Sequence, residues 1–230
     1  MSKVLAFLDR VADRVAPFLL SEGKRASIRR GGLPRTLIAD VRDGELVRIV
    51  GHVRRLRDAV RAPISGKLCF YYQAHVVVWE SHDATGEKIS PRDVGPAPDG
   101  RDFFVEDESG VATISTLGTQ MELPVSWQDG FHPGVIQYLE TNGRRDVAER
   151  LLSTKNLDFV MTKVRHCEKL VSEGMPVSVR GWGRWTSSAT DPATAALRGA
   201  GKHLVIEGSG GRPPLVSGHL ADWIEEYPRG

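Results

Sequence analysis

Between Asp43 and Glu80 the chain reads DGELVRIVGHVRRLRDAVRAPISGKLCFYYQAHVVVWE, and this stretch confines the fold more than any other. Val47, Ile49, Gly51 and Val53 alternate with Arg48, Val50, His52 and Arg54, the period-two pattern of a half-buried strand over roughly 45–57. From about Lys67 to Glu80 a second strand is expected. Leu68, Phe70, Tyr72, Ala74, Val76 and Val78 form its apolar face, and Cys69, Tyr71, Gln73, His75, Val77 and Trp79 form the other. β-branched and aromatic residues suit such a pleated surface. Gly51 lets the first strand coil tightly, as a small closed barrel requires. The turn residues of Ala62–Gly66 lead into the second strand.

If the two strands pair as neighbours, Arg48, His52 and Arg54 share a face with Tyr71, Gln73, His75 and Trp79. Cations, hydrogen-bonding groups and flat rings on one sheet face make these seven residues the candidate binding site. They are suited to an extended anion or to a peptide held by aromatic anchors. The competing expectation is a second layer over that face, formed by the N-terminal helix or the loop 81–101, which would make Tyr71 and Trp79 packing residues.

The rest of the chain adds strands and one good amphipathic helix. Val4, Leu8, Val11, Val15 and Leu19 recur at helical spacing over 3–20, with Pro17 ending or kinking the helix. The stripe is expected to bury itself against the barrel, a partner or a membrane surface. A basic linker with Lys24, Arg25, Arg29, Arg30 and Arg35 follows, so residues 1–35 read as a separate segment and 36–230 as the domain. The sequence DFFVEDESGVATIST predicts a hairpin over 102–116. A helix is expected over 144–155, strands over 177–186 and 203–208, and an irregular insertion over 127–142, while 157–172 reads equally as helix or strand. These elements predict a mainly β fold with α insertions. Its expected form is an OB-like five-stranded Greek-key barrel with a helix between the third and fourth strands. The repeated βα rhythm of a doubly wound sheet is missing.

Composition narrows the function. No apolar run approaches the roughly 18 residues of a membrane span. Two cysteines, Cys69 and Cys167, make neither a disulfide scaffold nor a zinc site by themselves, so reduced thiols in a cytoplasmic protein are expected. The chain is nearly neutral at +2, yet its first 67 residues are strongly basic and the remainder acidic, which can draw an anionic surface to the first third. The acids Glu106, Asp107 and Glu108 precede Ser109–Gly110 and are expected as turn residues, without a catalytic part. His166–Cys167–Glu168 cannot aim all three side chains at one site, because neighbouring residues point apart. Trp182–Gly183–Arg184–Trp185 offers an aromatic and basic platform only if Gly183 makes a bulge.

Taken in order, APISGKLCFYY at 62–72, FFVEDESGVATI at 103–114, Glu168 with Val171 and Gly174, and VSVRGWGRW at 177–185 resemble the GIDE domain. This family is also called BAM, for "beside a membrane". The resemblance spans roughly 43–217. The family occurs in mitochondrial-anchored-protein-ligase-type ubiquitin ligases and in bacterial proteins beside transmembrane helices. The ligases' RING is not carried over, since no cysteine follows Cys167, and the flanking membrane helices are not found. The resemblance implies a non-enzymatic interaction or adaptor module, cytoplasmic or peripheral to a membrane through residues 1–35, with a protein partner. The alternative is an OB-type binder of single-stranded nucleic acid or another extended anion. No cofactor and no metal are expected.

Overall fold

In the computed structural model the described residues are 33–79, 92–94, 98–153, 163–187 and 202–219. The expected N-terminal helix lies outside them. After a short 3-10 turn at Ile38–Asp40, the strands in chain order are β1 (Leu46–Arg54), β2 (Val60–Arg61), β3 (Leu68–Cys69), β4 (Tyr71–Trp79), β5 (Arg92–Val94), β6 (Asp99–Gly100), β7 (Phe103–Asp107), β8 (Gly110–Ile114), β9 (Gln120–Glu122) and β10 (Gln128–Asp129). Helices α1 (Pro133–Thr141) and α2 (Arg145–Ser153) follow, then β11 (Lys163–Val171), β12 (Pro176–Ser187), β13 (Lys202–Glu207) and β14 (Leu215–Ser217).

Five of these strands close a barrel. β1 pairs antiparallel with β12 and with β7, β7 with β8, and β12 with β13, while β8 and β13 close the remaining gap as a parallel pair. β1 changes partner near His52, pairing with β12 over Leu46–His52 and with β7 over His52–Arg54. The core-facing set read from the sequence holds on this strand: Val47, Ile49 and Val53 enter the barrel core with Phe103, Val105, Ile114, Val179, Leu204 and Ile206. Arg48 and Val50 on the other face are buried too, so β1 is covered on both sides over much of its length and is not the half-buried strand expected. The expected hairpin is β7–β8, turning at Glu108–Ser109. β14 and β9 extend the sheet beyond β12.

The second organising strand is not a barrel stave. β4 belongs to a separate sheet of order β10–β11–β4–β5, with β6 also against β4. It pairs with β11 along its whole length, from Tyr71↔Val171 to Trp79↔Lys163. The segment 157–172, open between helix and strand in the sequence, therefore resolves as strand over 163–171, and the insertion at 127–142 contains α1. Both helices lie between the third and fourth barrel strands, where a helix was expected.

Helices α1 and α2 cover one face of this second sheet. Ala74, Val76 and Val78 of β4 and Val164 of β11 pack there against Val135, Tyr138, Leu139, Val147, Ala148 and Leu151. So the apolar parity of β4 was legible, but the layer covering it is a helix pair. The expectation that Leu68, Phe70, Tyr72, Val76 and Val78 share one barrel core is corrected accordingly. Phe70 alone of the five joins the barrel cluster, stacked 6.4 Å from Phe103; Tyr72 is half-buried and Leu68 is 57% exposed. The physical reason is a bend at Phe70 between β3 and β4, which breaks the alternation and leaves Cys69, Phe70 and Tyr71 buried in succession.

α1 begins at a well-defined N-terminus. Pro133 occupies its first turn, and the His132 ring accepts a hydrogen bond from the Gly134 N–H. A Cβ on Gly134 would stand 2.0 Å from the Ile64 carbonyl oxygen, so the helix start touches the 62–66 turn backbone to backbone. Among the described residues no helix is long and apolar enough to cross a membrane.

Candidate interaction surface

The seven residues expected on one outer face do not meet, because β1 and β4 belong to different sheets. Arg48 is fully buried on β1, and its Nε donates to Ser178 Oγ at 2.9 Å. His52 is half-buried, and Arg54 is exposed with its Nε 2.5 Å from Glu106 Oε2. Tyr71 is buried against the barrel cluster. Gln73 and His75 lie half-buried on the face of β4 turned away from the helices, and the Trp79 side chain lies outside the described residues.

That outer face acquires a different aromatic. Trp127 stands just before β10, whose register sets Asp129 opposite Arg165 of β11. The Trp127 ring lies 6.4 Å from the His75 ring and 5.6 Å from the Arg165 guanidinium carbon, while Arg165 Nε forms an ion pair with Asp129 Oδ1 at 2.7 Å. A guanidinium over an indole is attracted by the ring quadrupole. Trp127 remains 41% exposed, and Val125 and Phe131 in the same segment are exposed as well. Lys169 of β11, opposite Gln73 of β4, adds a cation to the same sheet face. The sequence reading missed Trp127 because it sits in a Gly- and Pro-rich segment with no period. The one available signal was a tryptophan in a stretch otherwise read as polar loop.

On the opposite side of β11 a cavity of about 180 Å³ opens between this strand, the 64–67 turn and the start of α1. His132, His166, Glu168 and Lys67 line it. Glu168, singled out by the family resemblance, accepts the Ile64 N–H at 2.6 Å and the Ser65 N–H at 3.0 Å, tying the turn to β11. His166 is only 5% exposed, and its ring centroid is 5.8 Å from that of His132. Burial and then the neighbouring His132 hold the His166 imidazole below its ordinary proton affinity, against a smaller opposing pull from Glu168. As expected from strand parity, His166, Cys167 and Glu168 do not converge: Cys167 lies on the other face, opposite His75. Among the described residues no three His, Cys, Asp or Glu side chains are arranged to hold a metal ion.

The remaining sequence candidates have structural partners. Asp107 Oδ1 accepts from the Ser109 and Gly110 N–H groups and from Ser109 Oγ, and its Oδ2 accepts from the Ile38 N–H, so this carboxylate fastens the hairpin to the 3-10 turn. It is half-buried, more enclosed than a free turn residue. Glu106 pairs with Arg54 and Glu108 with Arg35. Trp185 Nε1 donates to the Val41 carbonyl at 2.8 Å and packs against the barrel cluster. β12 continues its pairing through Gly183 without a bulge, so Trp182 faces the other way and the two rings form no platform. Burial, with Glu168 and Asp99 adding to it, pushes the Cys69 thiol up to about 11, which keeps it protonated and unreactive.

Compared with known proteins, the chain matches no family model, no curated protein and no solved structure.

Proposed function

We propose that this chain is a non-enzymatic interaction module of the GIDE/BAM type, an OB-like barrel that recruits a protein partner through the sheet face around Trp127. The observation that carries the reading is the half-exposed Trp127, held between His75 and Arg165 on a sheet face that the helices leave uncovered. Aromatic residues and arginine dominate the energetics of protein interfaces, and a ring already fixed by its neighbours costs little further entropy on binding. The barrel's connectivity supports the OB reading: its third and fifth strands run parallel, and the fourth returns to the first, as in a Greek key. The Trp127 face grows from the connection after the first barrel strand and the connection after the third. In OB-type domains the connection after the first strand helps to bind ligands.

A second reading is favoured by the same Arg165–Trp127 pair with Lys169 beside it. An aromatic flanked by cations also receives an extended anion such as single-stranded nucleic acid. Peripheral membrane contact through residues 1–35 is a third element of the proposal. One set of measurements separates them: capture of partners from the native cell, titration with a fluorescent single-stranded oligonucleotide at two salt concentrations, and sedimentation with anionic vesicles. The module reading expects protein capture that Trp127→Ala abolishes, with no salt-sensitive oligonucleotide binding. Oligonucleotide affinity that falls steeply with salt and depends on Trp127 would replace it with the anion reading. Vesicle binding lost on removing residues 1–35 would support the membrane contact.

A further inference from the structure

We propose that the Trp127 face is gated by pH through His166, packed against the His132 ring: proton uptake by His166 releases the segment 125–132 from β11 and withdraws Trp127 from its place beside Arg165. The inference rests on the reading of the Trp127 face as the binding surface. Its footing is geometric. His132 is the residue that joins the Trp127 segment to α1, and its Nδ1 accepts the Gly134 N–H at 3.1 Å. An accepting Nδ1 leaves the neutral ring's proton on Nε2, so the cap of α1 depends on where this ring is held. His166 holds the other side of the contact, since it lies opposite Gln128 of β10, the residue next to Trp127.

A charge on His166 would be poorly compensated. Of the groups packed around it, β11 supplies Glu168, whose carboxylate is already taken up by the Ile64 and Ser65 amides. The 64–67 turn supplies Lys67, of the same sign as an imidazolium. Arg165 and Asp129 are paired with each other on the opposite face. α1 carries no acid in its first turn, and its N-terminal dipole is itself positive. β4 presents Val76 opposite His166, and α2 presents Val147, Ala148 and Leu151 to the same layer. His166 Nδ1 has no hydrogen-bond partner among the described residues, so no acceptor there takes a second ring proton, and only the smaller pull of Glu168 favours it. An imidazolium at His166 would stand 5.8 Å from the His132 ring, and the segment that joins these rings to Trp127 contains the two-residue edge strand β10.

The test uses the full chain carrying His75→Gln, so that His75 cannot itself alter Trp127 emission. The Trp127 signal is taken as the difference between this protein and its Trp127→Phe variant, followed between about pH 8 and pH 5. A reversible transition in that signal is expected. It disappears in His166→Gln, and it weakens in His132→Asn, because asparagine keeps the helix cap but removes the ring packed against His166. A flat signal in the parent, or an unchanged transition in both variants, overturns the gate. His132→Asn leaves β11 untouched, so the test survives a His166→Gln protein that does not fold. No partner is present in this measurement. A gate that titrates in a protein whose partner capture is indifferent to Trp127→Ala would therefore discard the binding surface and keep the switch.

Discussion

Gly51 of β1 lies so close to β7 that a Cβ built on it would stand 2.2 Å from the carbonyl oxygen of Glu106. The contact falls where β1 leaves β12 for β7. A methyl group there meets backbone, which cannot rotate away, so the two strands must separate. Gly51→Ala should destabilise the protein by about 3 kcal/mol, the upper part of the range for overpacked sites. Urea unfolding measures this; a midpoint equal to that of the parent would mean that β1 and β7 are not in contact at this corner.

Phe70 and Leu68 share strand parity but not environment. Phe70 is buried against Phe103 at the end of the barrel, and Leu68 is mostly in solvent. Phe70→Ala is expected to cost about 3–5 kcal/mol. Leu68→Ala should stay within about 0.5 kcal/mol of the parent, as surface changes do. Equal costs at the two positions would mean that the bend between β3 and β4 is absent and the straight strand expected from the sequence is present.

Those two residues also show how far the sequence could be read. Alternation from Tyr72 to Val78 identified a buried face, because a period of two is a property of the strand alone. It could not say that α1 and α2, rather than the barrel, cover that face, since either layer removes the same side chains from water. The hairpin at 103–114 was legible because its turn residues Glu108–Gly110 interrupt two apolar runs. The Trp127 surface was not. Its members come from β4, β11 and the segment before β10, and only the strand registers bring His75 and Arg165 to one ring. The face expected from β1 and β4 failed for the same reason: neighbours in sequence are not always neighbours in a sheet.

Cys69 and Cys167 are both buried free thiols. With the Cys69 thiol pushed up to about 11 by burial, it stays protonated through the neutral range and is shielded from reagents. Labelling by an aromatic disulfide reagent at about pH 8 should be slow in the native protein and should speed up with unfolding. Rapid stoichiometric labelling under native conditions would show that the ribbon Val60–Cys69 opens readily.

His166 ties stability to pH with a definite sign. Burial, with His132 beside it, holds its proton affinity in the folded protein below the ordinary value of 6.5. Above about pH 6.5 the ring is neutral in both folded and unfolded chains and costs nothing. As pH falls past that point the unfolded chain takes up the proton first, so stability declines until the folded protein is protonated too. The urea midpoint should therefore be level from about pH 8 to 7 and drop between about pH 6.5 and 5, before most carboxylates titrate. His166→Gln should flatten this drop. The variant leaves Glu168 in place with its bonds to the Ile64 and Ser65 amides, so it isolates the histidine contribution. A drop of the same size in His166→Gln would assign the acid sensitivity to another group and remove the buried imidazole as its cause.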